Sequence, residues 1–107
     1  MYKRIENVDE VLKASHDKQI LILKHSTACP ISRKAKSEVD RFLEQNKDME
    51  AYLVVVQQQR PVSNELARKL GVVHESPQLL FIRDGAARKV LTHSEIRHRA
   101  IEQEVME

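Results

Sequence analysis

Cys29 is the only cysteine of this 107-residue sequence and the side chain best suited to covalent chemistry. It stands in the run Lys24-His25-Ser26-Thr27-Ala28-Cys29-Pro30-Ile31-Ser32. Proline suits the first helical position, because its fixed φ is already helical and its missing N–H is not needed there. Cys29 should therefore lie at or next to a helix N-cap, where unpaired N–H groups and the positive end of the helix dipole face it. Such a site favours the thiolate, the nucleophilic form of the side chain. A lone cysteine has no internal partner, so any disulfide it forms is resolved by an outside thiol.

Several neighbours carry groups that bear on the sulfur. His25 could stabilise the thiolate or shuttle a proton, since its ring titrates near neutrality; it equally reads as the polar end of a strand. The hydroxyls of Ser26, Thr27 and Ser32 could donate to the sulfur or cap the helix, and both can hold at once. Arg33 and Lys36 are cations on a helix face that also reads as solvated. One cysteine and five scattered histidines give no zinc spacing, so no metal is expected.

The elements that must position Cys29 follow from the hydrophobic pattern. Ile20 to His25 begins as an unbroken apolar run, the mark of a strand buried on both faces. From Pro30 to about Asn46, Ile31, Ala35, Val39, Phe42 and Leu43 form one helical stripe. Ala51 to Val56 reads as a second buried strand. Strand, helix and strand joined by short links predict a parallel, right-handed βαβ unit. Upstream, Asn7 and Glu10 form a variant capping box before Val8, Val11 and Leu12, and Tyr2 to Ile5 is a candidate edge strand. Downstream, Pro61 and Ser63 open a helix with Val62, Leu66 and Leu70 on one side, and Gly71 ends it. Gln78 to Ile82 is a third strand. Asp84-Gly85 turns the chain into an edge strand over Arg88 to Thr92, giving a hairpin. Ser94 then caps a last helix with Ile96, Ala100, Ile101 and Val105 inward. This order predicts an α/β fold with a four-stranded mixed sheet.

Bulk properties exclude several roles. A chain of this length buries roughly two thirds of its unfolded surface and folds without staples. The net charge is only +2 and the charges are interspersed, so no nucleic-acid partner is expected. No apolar run approaches the roughly 20 residues of a membrane span, and Met-Tyr-Lys-Arg-Ile-Glu lacks the apolar core of a signal peptide. With a single cysteine, these features point to a reducing, cytoplasmic compartment. No exposed apolar patch is apparent, which favours a monomer.

A strand ending in Cys-Pro-x-Ser at a helix start, a βαβ unit, and Ser76-Pro77 before a ββα ending together resemble the thioredoxin superfamily. More narrowly, His25-Ser26-Thr27-Ala28-Cys29-Pro30-Ile31-Ser32, with Glu75-Ser76-Pro77-Gln78 downstream, resembles the monothiol bacilliredoxin family of bacillithiol-system redox-active proteins (YtxJ). The resemblance covers nearly the whole chain. It implies a thioredoxin-like α/β fold, with helices on both faces of the four-stranded sheet and one domain over residues 1–107. It implies a thiol–disulfide oxidoreductase that removes bacillithiol, a cysteinyl-glucosaminyl-malate thiol, from protein mixed disulfides. Cys29 would attack the bacillithiol sulfur and carry the cap itself. A second bacillithiol would release it as the symmetric disulfide, which a pyridine-nucleotide-dependent reductase recycles. The implied partners are bacillithiolated client proteins, bacillithiol as co-substrate and, indirectly, a bacillithiol disulfide reductase, with no tightly bound cofactor. Pro30 would line the site. Pro77 would be the fold's cis-proline, and the Ser76 backbone would pair with the bound thiol. Arg33 and Lys36 would be candidates for the malate carboxylates, and His74 a further contact.

The sequence departs from the wider superfamily in two places. Ser32 stands where a dithiol redoxin has its second cysteine, and the tryptophan that usually precedes the thioredoxin motif is missing. Autonomous reduction of protein disulfides is therefore not expected. Other roles remain to be weighed. A non-catalytic thioredoxin-fold binding module would carry Cys29 incidentally. A peroxidase of the peroxiredoxin pattern needs a proline at position 22, where Ile22 stands. An iron–sulfur carrier needs Cys-Gly-Phe-Ser, where Pro30-Ile31 replaces Gly-Phe.

Overall fold

The run Ile20–Leu23 becomes the middle of the molecule. In the computed structural model, which describes residues 1–106, the elements in chain order are α1 (Val8–Ala14), β1 (Ile20–His25), α2 (Pro30–Gln45), β2 (Glu50–Val55), α3 (Arg60–Leu70), β3 (Gln78–Arg83), β4 (Ala86–Thr92) and α4 (His98–Val105). A 3₁₀ turn, His93–Glu95, joins β4 to α4. The strands form one sheet in the order β2-β1-β3-β4. β1 runs parallel to β2, and β3 is antiparallel to both β1 and β4. This is the thioredoxin-like arrangement.

Because side chains alternate along a strand, β1 feeds two cores. Leu21 and Leu23 face the layer of α2 and α4, with Val39, Phe42, Leu79, Phe81 and Ile101. Ile20 and Ile22 face the layer of α1 and α3, with Val8, Val11, Leu66, Leu80 and Ile82. All six residues of β1 are buried, including Lys24 and His25.

The registers deliver the loops to one place. Lys24 of β1 pairs with Gln78, the first residue of β3, and Gln78 pairs in turn with Thr92, the last of β4. The loop that leaves β1 toward Cys29, the Ser76-Pro77 segment before β3 and His93 after β4 therefore meet at one end of the sheet. The Ser76–Pro77 peptide bond is cis. His93 N–H donates to the Pro77 carbonyl at 3.0 Å.

Several sequence expectations shift. Tyr2 to Ile5 contributes only a parallel bridge, Lys3 to Tyr52. Ile31 does not join the buried stripe of α2; it is exposed, and Ser32 is buried instead. Ile31 instead borders an open groove between α2 and the His93–Glu95 turn. Ser94 does not cap the last helix. Thr92 caps the 3₁₀ turn, with its N–H and hydroxyl bonded to the Glu95 carboxylate, and α4 starts four residues after Ser94. There Glu38 of α2 caps the His98 N–H at 2.8 Å. A carboxylate from a distant helix has replaced the local cap, and no local pattern announces that.

Candidate functional site

Cys29 is the N-cap residue of α2, in extended backbone conformation with Pro30 at the first helical position. Its carbonyl already accepts the Arg33 N–H at 3.1 Å. The side chain is partly exposed. The Ser32 N–H holds the thiol below its ordinary range, helped by the Ile31 N–H, the Ser32 hydroxyl and the Arg33 guanidinium, against a smaller opposing effect of burial. These are the free amides of a helix start, so the electrostatics at the sulfur follow directly from its place in the chain.

Ser32 links the sulfur to the loop before it. Its buried Oγ accepts the Ser26 N–H at 3.2 Å. Ser26 and Thr27 do not reach the sulfur as the sequence suggested. Gln57, just beyond β2, donates from Nε2 to Ser26 Oγ at 2.8 Å and accepts the Thr27 N–H at 3.4 Å. One amide side chain thus clamps both residues from the neighbouring strand. Gln57 follows the second strand without any local signal of this role, which becomes visible once β1 and β2 lie side by side.

His25 is buried on the α2 face. Burial and the Lys36 ammonium lower its pKa, against smaller opposing effects of the Ser32 backbone and Asp40. Among the described residues its Nδ1 has no partner. A ring kept neutral in this way is not a counter-charge for a thiolate; Arg33 is the cation that acts on the sulfur. Lys36 is engaged elsewhere: it pairs with Asp40 at 3.1 Å and lies 5.1 Å from the Tyr2 ring centroid. The Tyr2 hydroxyl donates to the same Asp40 carboxylate at 2.6 Å.

On the opposite face, Lys24 is fully buried. Its Nζ donates to the Ser63 carbonyl at 3.0 Å and lies 3.2 Å from His74 Nδ1, which is also 3.2 Å from Ser63 Oγ. Lysine can only donate, so Nδ1 accepts and the His74 proton sits on Nε2. Burial, aided by Lys24 and Arg60, keeps the His74 pKa low. His74 lies two residues before Ser76, so this contact ties β1 and α3 to the segment entering the cis bond. Pro77 is buried, and the buried Ser76 Oγ has no partner among the described residues. The Gln78 side chain braces the same segment through the Val73 carbonyl at 2.9 Å. Among the described residues, no three His, Cys, Asp or Glu side chains group as a metal site, and no helix is long and apolar enough to cross a membrane.

Comparison with known proteins agrees with this layout. The profile of the family described as "Monothiol bacilliredoxin BrxC" matches residues 2–101. A solved structure of thioredoxin fold, to which an oxidoreductase activity has been ascribed, is 32% identical; the match covers 94% of this chain and 89% of that one, with a TM-score of 0.82. The Fasciola hepatica thioredoxin is 16% identical over 96% of this chain and 92% of its own, with a TM-score of 0.71. A cysteine-to-serine mutant of the Entamoeba histolytica thioredoxin is 20% identical over 99% and 98%, with a TM-score of 0.74. The two thioredoxins share the fold.

Proposed function

The chain belongs to the monothiol bacilliredoxin family, and on that premise we propose that it removes bacillithiol from protein mixed disulfides. The observation that carries this reading is Cys29: a lone, partly exposed thiol at a helix N-cap, held toward the thiolate by the Ser32 and Ile31 amides, the Ser32 hydroxyl and Arg33.

The exchange runs in two steps. The Cys29 thiolate attacks the bacillithiol sulfur of the capped client. A Cys29–bacillithiol disulfide forms, the client disulfide breaks, and the client leaves as a thiolate that takes a proton from solvent. A second bacillithiol thiolate then attacks the bacillithiol sulfur bound to Cys29. Symmetric bacillithiol disulfide forms and Cys29 leaves as thiolate, stabilised by the same groups. No internal thiol competes, because Ser32 stands at the resolving position. Bacillithiol is a co-substrate, recycled by a separate reductase using a pyridine nucleotide, in a cytoplasmic setting. Within the site, Ser32 and Arg33 stabilise the thiolate, Pro30 and cis-Pro77 line the approach, and the Ser76 backbone aligns the bound thiol. His25, Ser26 and Thr27 hold the loop that presents Cys29.

The test is intact mass of the reduced protein after incubation with a bacillithiol-capped client. One bacillithiol adduct on Cys29, with client thiol released, is expected; Cys29→Ser should show neither. Glutathione- and coenzyme-A-capped controls report whether the thiol itself is recognised. No transfer, with Cys29 alkylating no faster than free cysteine, would overturn the reading and leave a binding module.

A further inference from the structure

A cavity of about 610 Å³ opens between the first turns of α2, from Pro30 onward, and the His93–Glu95 turn. Its floor is apolar, from Pro30, Ile31, Ala35 and Ile96, and its rim carries Lys34, Arg97, His93 and Glu38. Ile31 is 52% exposed although it is a large aliphatic group on the first turn of α2. The rim charges are not balanced among themselves. The Glu38 carboxylate is bonded to the His98 N–H at the start of α4. Among the described residues, Lys34 and Arg97 are exposed and neither has a carboxylate within ion-pair distance. Arg97 is nonetheless oriented, because its Nε donates to the Ser94 carbonyl at 3.2 Å, while its terminal N–H groups have no hydrogen-bond partner among the described residues. His93 joins this groove to the Cys29 end of the sheet through its bond to Pro77.

We propose that this groove is the recognition site for the carboxylate-bearing end of the small-molecule cap, with Lys34 and Arg97 as its anion contacts. The inference rests on the reading of Cys29 given above. Pro30 and Ile31 follow Cys29 directly, and Lys34 lies five residues along α2, a rise of about 7.5 Å along the helix axis at 1.5 Å per residue. A thiol carrying a sugar and then a dicarboxylate is roughly three residue-sized units long, about 10 Å extended. Attached at Cys29, it is longer than that rise. The sugar ring would lie on the Ile31–Ile96 floor, and the malate carboxylates would meet two cations that lack partners. Arg33 remains with the sulfur, and Lys36 is occupied by Asp40.

The experiment compares one client protein capped either with bacillithiol or with plain cysteine, which lacks sugar and malate. In Lys34→Gln/Arg97→Gln, the ratio of kcat/KM for the bacillithiol cap to that for the cysteine cap should fall about tenfold, since exposed charge contacts each contribute a few-fold. An equal loss on both caps would overturn the proposal, because the groove would then be reading the client protein. So would an unchanged ratio. Binding is tested separately in Cys29→Ser, where no exchange can occur. Reduced bacillithiol should move the amide NMR signals of Ile31, Lys34 and Ile96, and cysteinyl-glucosamine without malate should move that of Lys34 less. Shifts confined to other residues would overturn the groove. If the wild type fails on both caps while these shifts appear, the exchange reading fails and the groove stands.

Discussion

Replacing Lys24 by methionine should stabilise the protein at neutral pH and flatten the rise of its stability toward alkaline pH. Lys24 is fully buried, and its ammonium meets the Ser63 carbonyl and His74 Nδ1 with no carboxylate among the described residues. Burial brings its pKa down from an ordinary 10.5 to about 8. The folded lysine therefore loses its proton before the unfolded one does. Between pH 8 and 10.5 the unfolded state binds more protons, so stability rises with pH. At 1.36 kcal/mol per pH unit the whole rise is about 3.4 kcal/mol, of which about 2 kcal/mol falls between pH 7 and 9.5. Below pH 7 both states are charged and the folded state carries the full cost of burial. Methionine keeps a long unbranched chain in the same space without a charge. The hydrogen bonds it forgoes contribute about 1–3 kcal/mol, so the net gain at pH 7 is about 1–2 kcal/mol, or about 4–8 °C in Tm. Urea unfolding of both proteins at pH 7, 8, 9 and 9.5 gives the decisive quantity. His74, which Lys24 touches and whose pKa is lowered, titrates below this range, and the remaining titrating groups are common to the pair and cancel in the difference. The advantage of the variant should shrink by about 2 kcal/mol across the series. Parallel curves would refute the reasoning and mean that the ammonium is solvated.

Three further outcomes follow from the same structure. Ser32→Ala removes one hydroxyl from the sulfur and the acceptor of the Ser26 N–H. Alkylation of Cys29 by iodoacetamide should then require higher pH, and stability should fall by about 1 kcal/mol; an unchanged alkylation profile would show that the backbone amides suffice. His25 has its pKa lowered in the folded state. Below its ordinary 6.5 the unfolded state takes the proton first, so stability is lost as pH falls. His25→Phe should remove part of that acid loss between pH 7.5 and 5.5, while His74 keeps its own share; equal losses in the two proteins would mean that the buried ring protonates freely. Phe42 is buried between α2 and the sheet, and Phe42→Ala should cost about 3–5 kcal/mol in urea unfolding; a loss under about 2 kcal/mol would show that the space closes.

The sheet and its helices were legible because their signals are local. Ile20–Leu23 has no polar residue to place at a surface, Pro30 fixes a helix start, and Gly71 takes the left-handed conformation that ends α3. The position of Cys29 was legible for the same reason. What stayed hidden depends on partners far along the chain. Gln57 acts on Ser26 and Thr27 across 31 and 30 residues, Lys24 meets Ser63 and His74 across 39 and 50, and Glu38 caps α4 across 60. A lysine at the end of an apolar run reads as the point where the strand turns polar, and says nothing of what its ammonium will touch. Ile31 misled because helical spacing says which face a residue occupies, and not whether anything covers that face.

The two borders of the sheet differ in how they are closed. Along β2, Lys3 donates its N–H to the Ala51 carbonyl at 2.8 Å and accepts the Leu53 N–H at 3.0 Å. Along β4, Arg88 and Lys89 are exposed, and the ladder is irregular between Phe81 and Ile82. A strand from another copy thus meets an occupied border on one side and a charged, kinked one on the other. Runs such as Ile20–Leu23 and Leu79–Ile82 are apolar enough to stack into fibrils if a template were offered. The few residues before Asn7 therefore act as a plug against aggregation, and their removal would uncover a template and also take Ile5 out of one core and Tyr2 from the edge of the other.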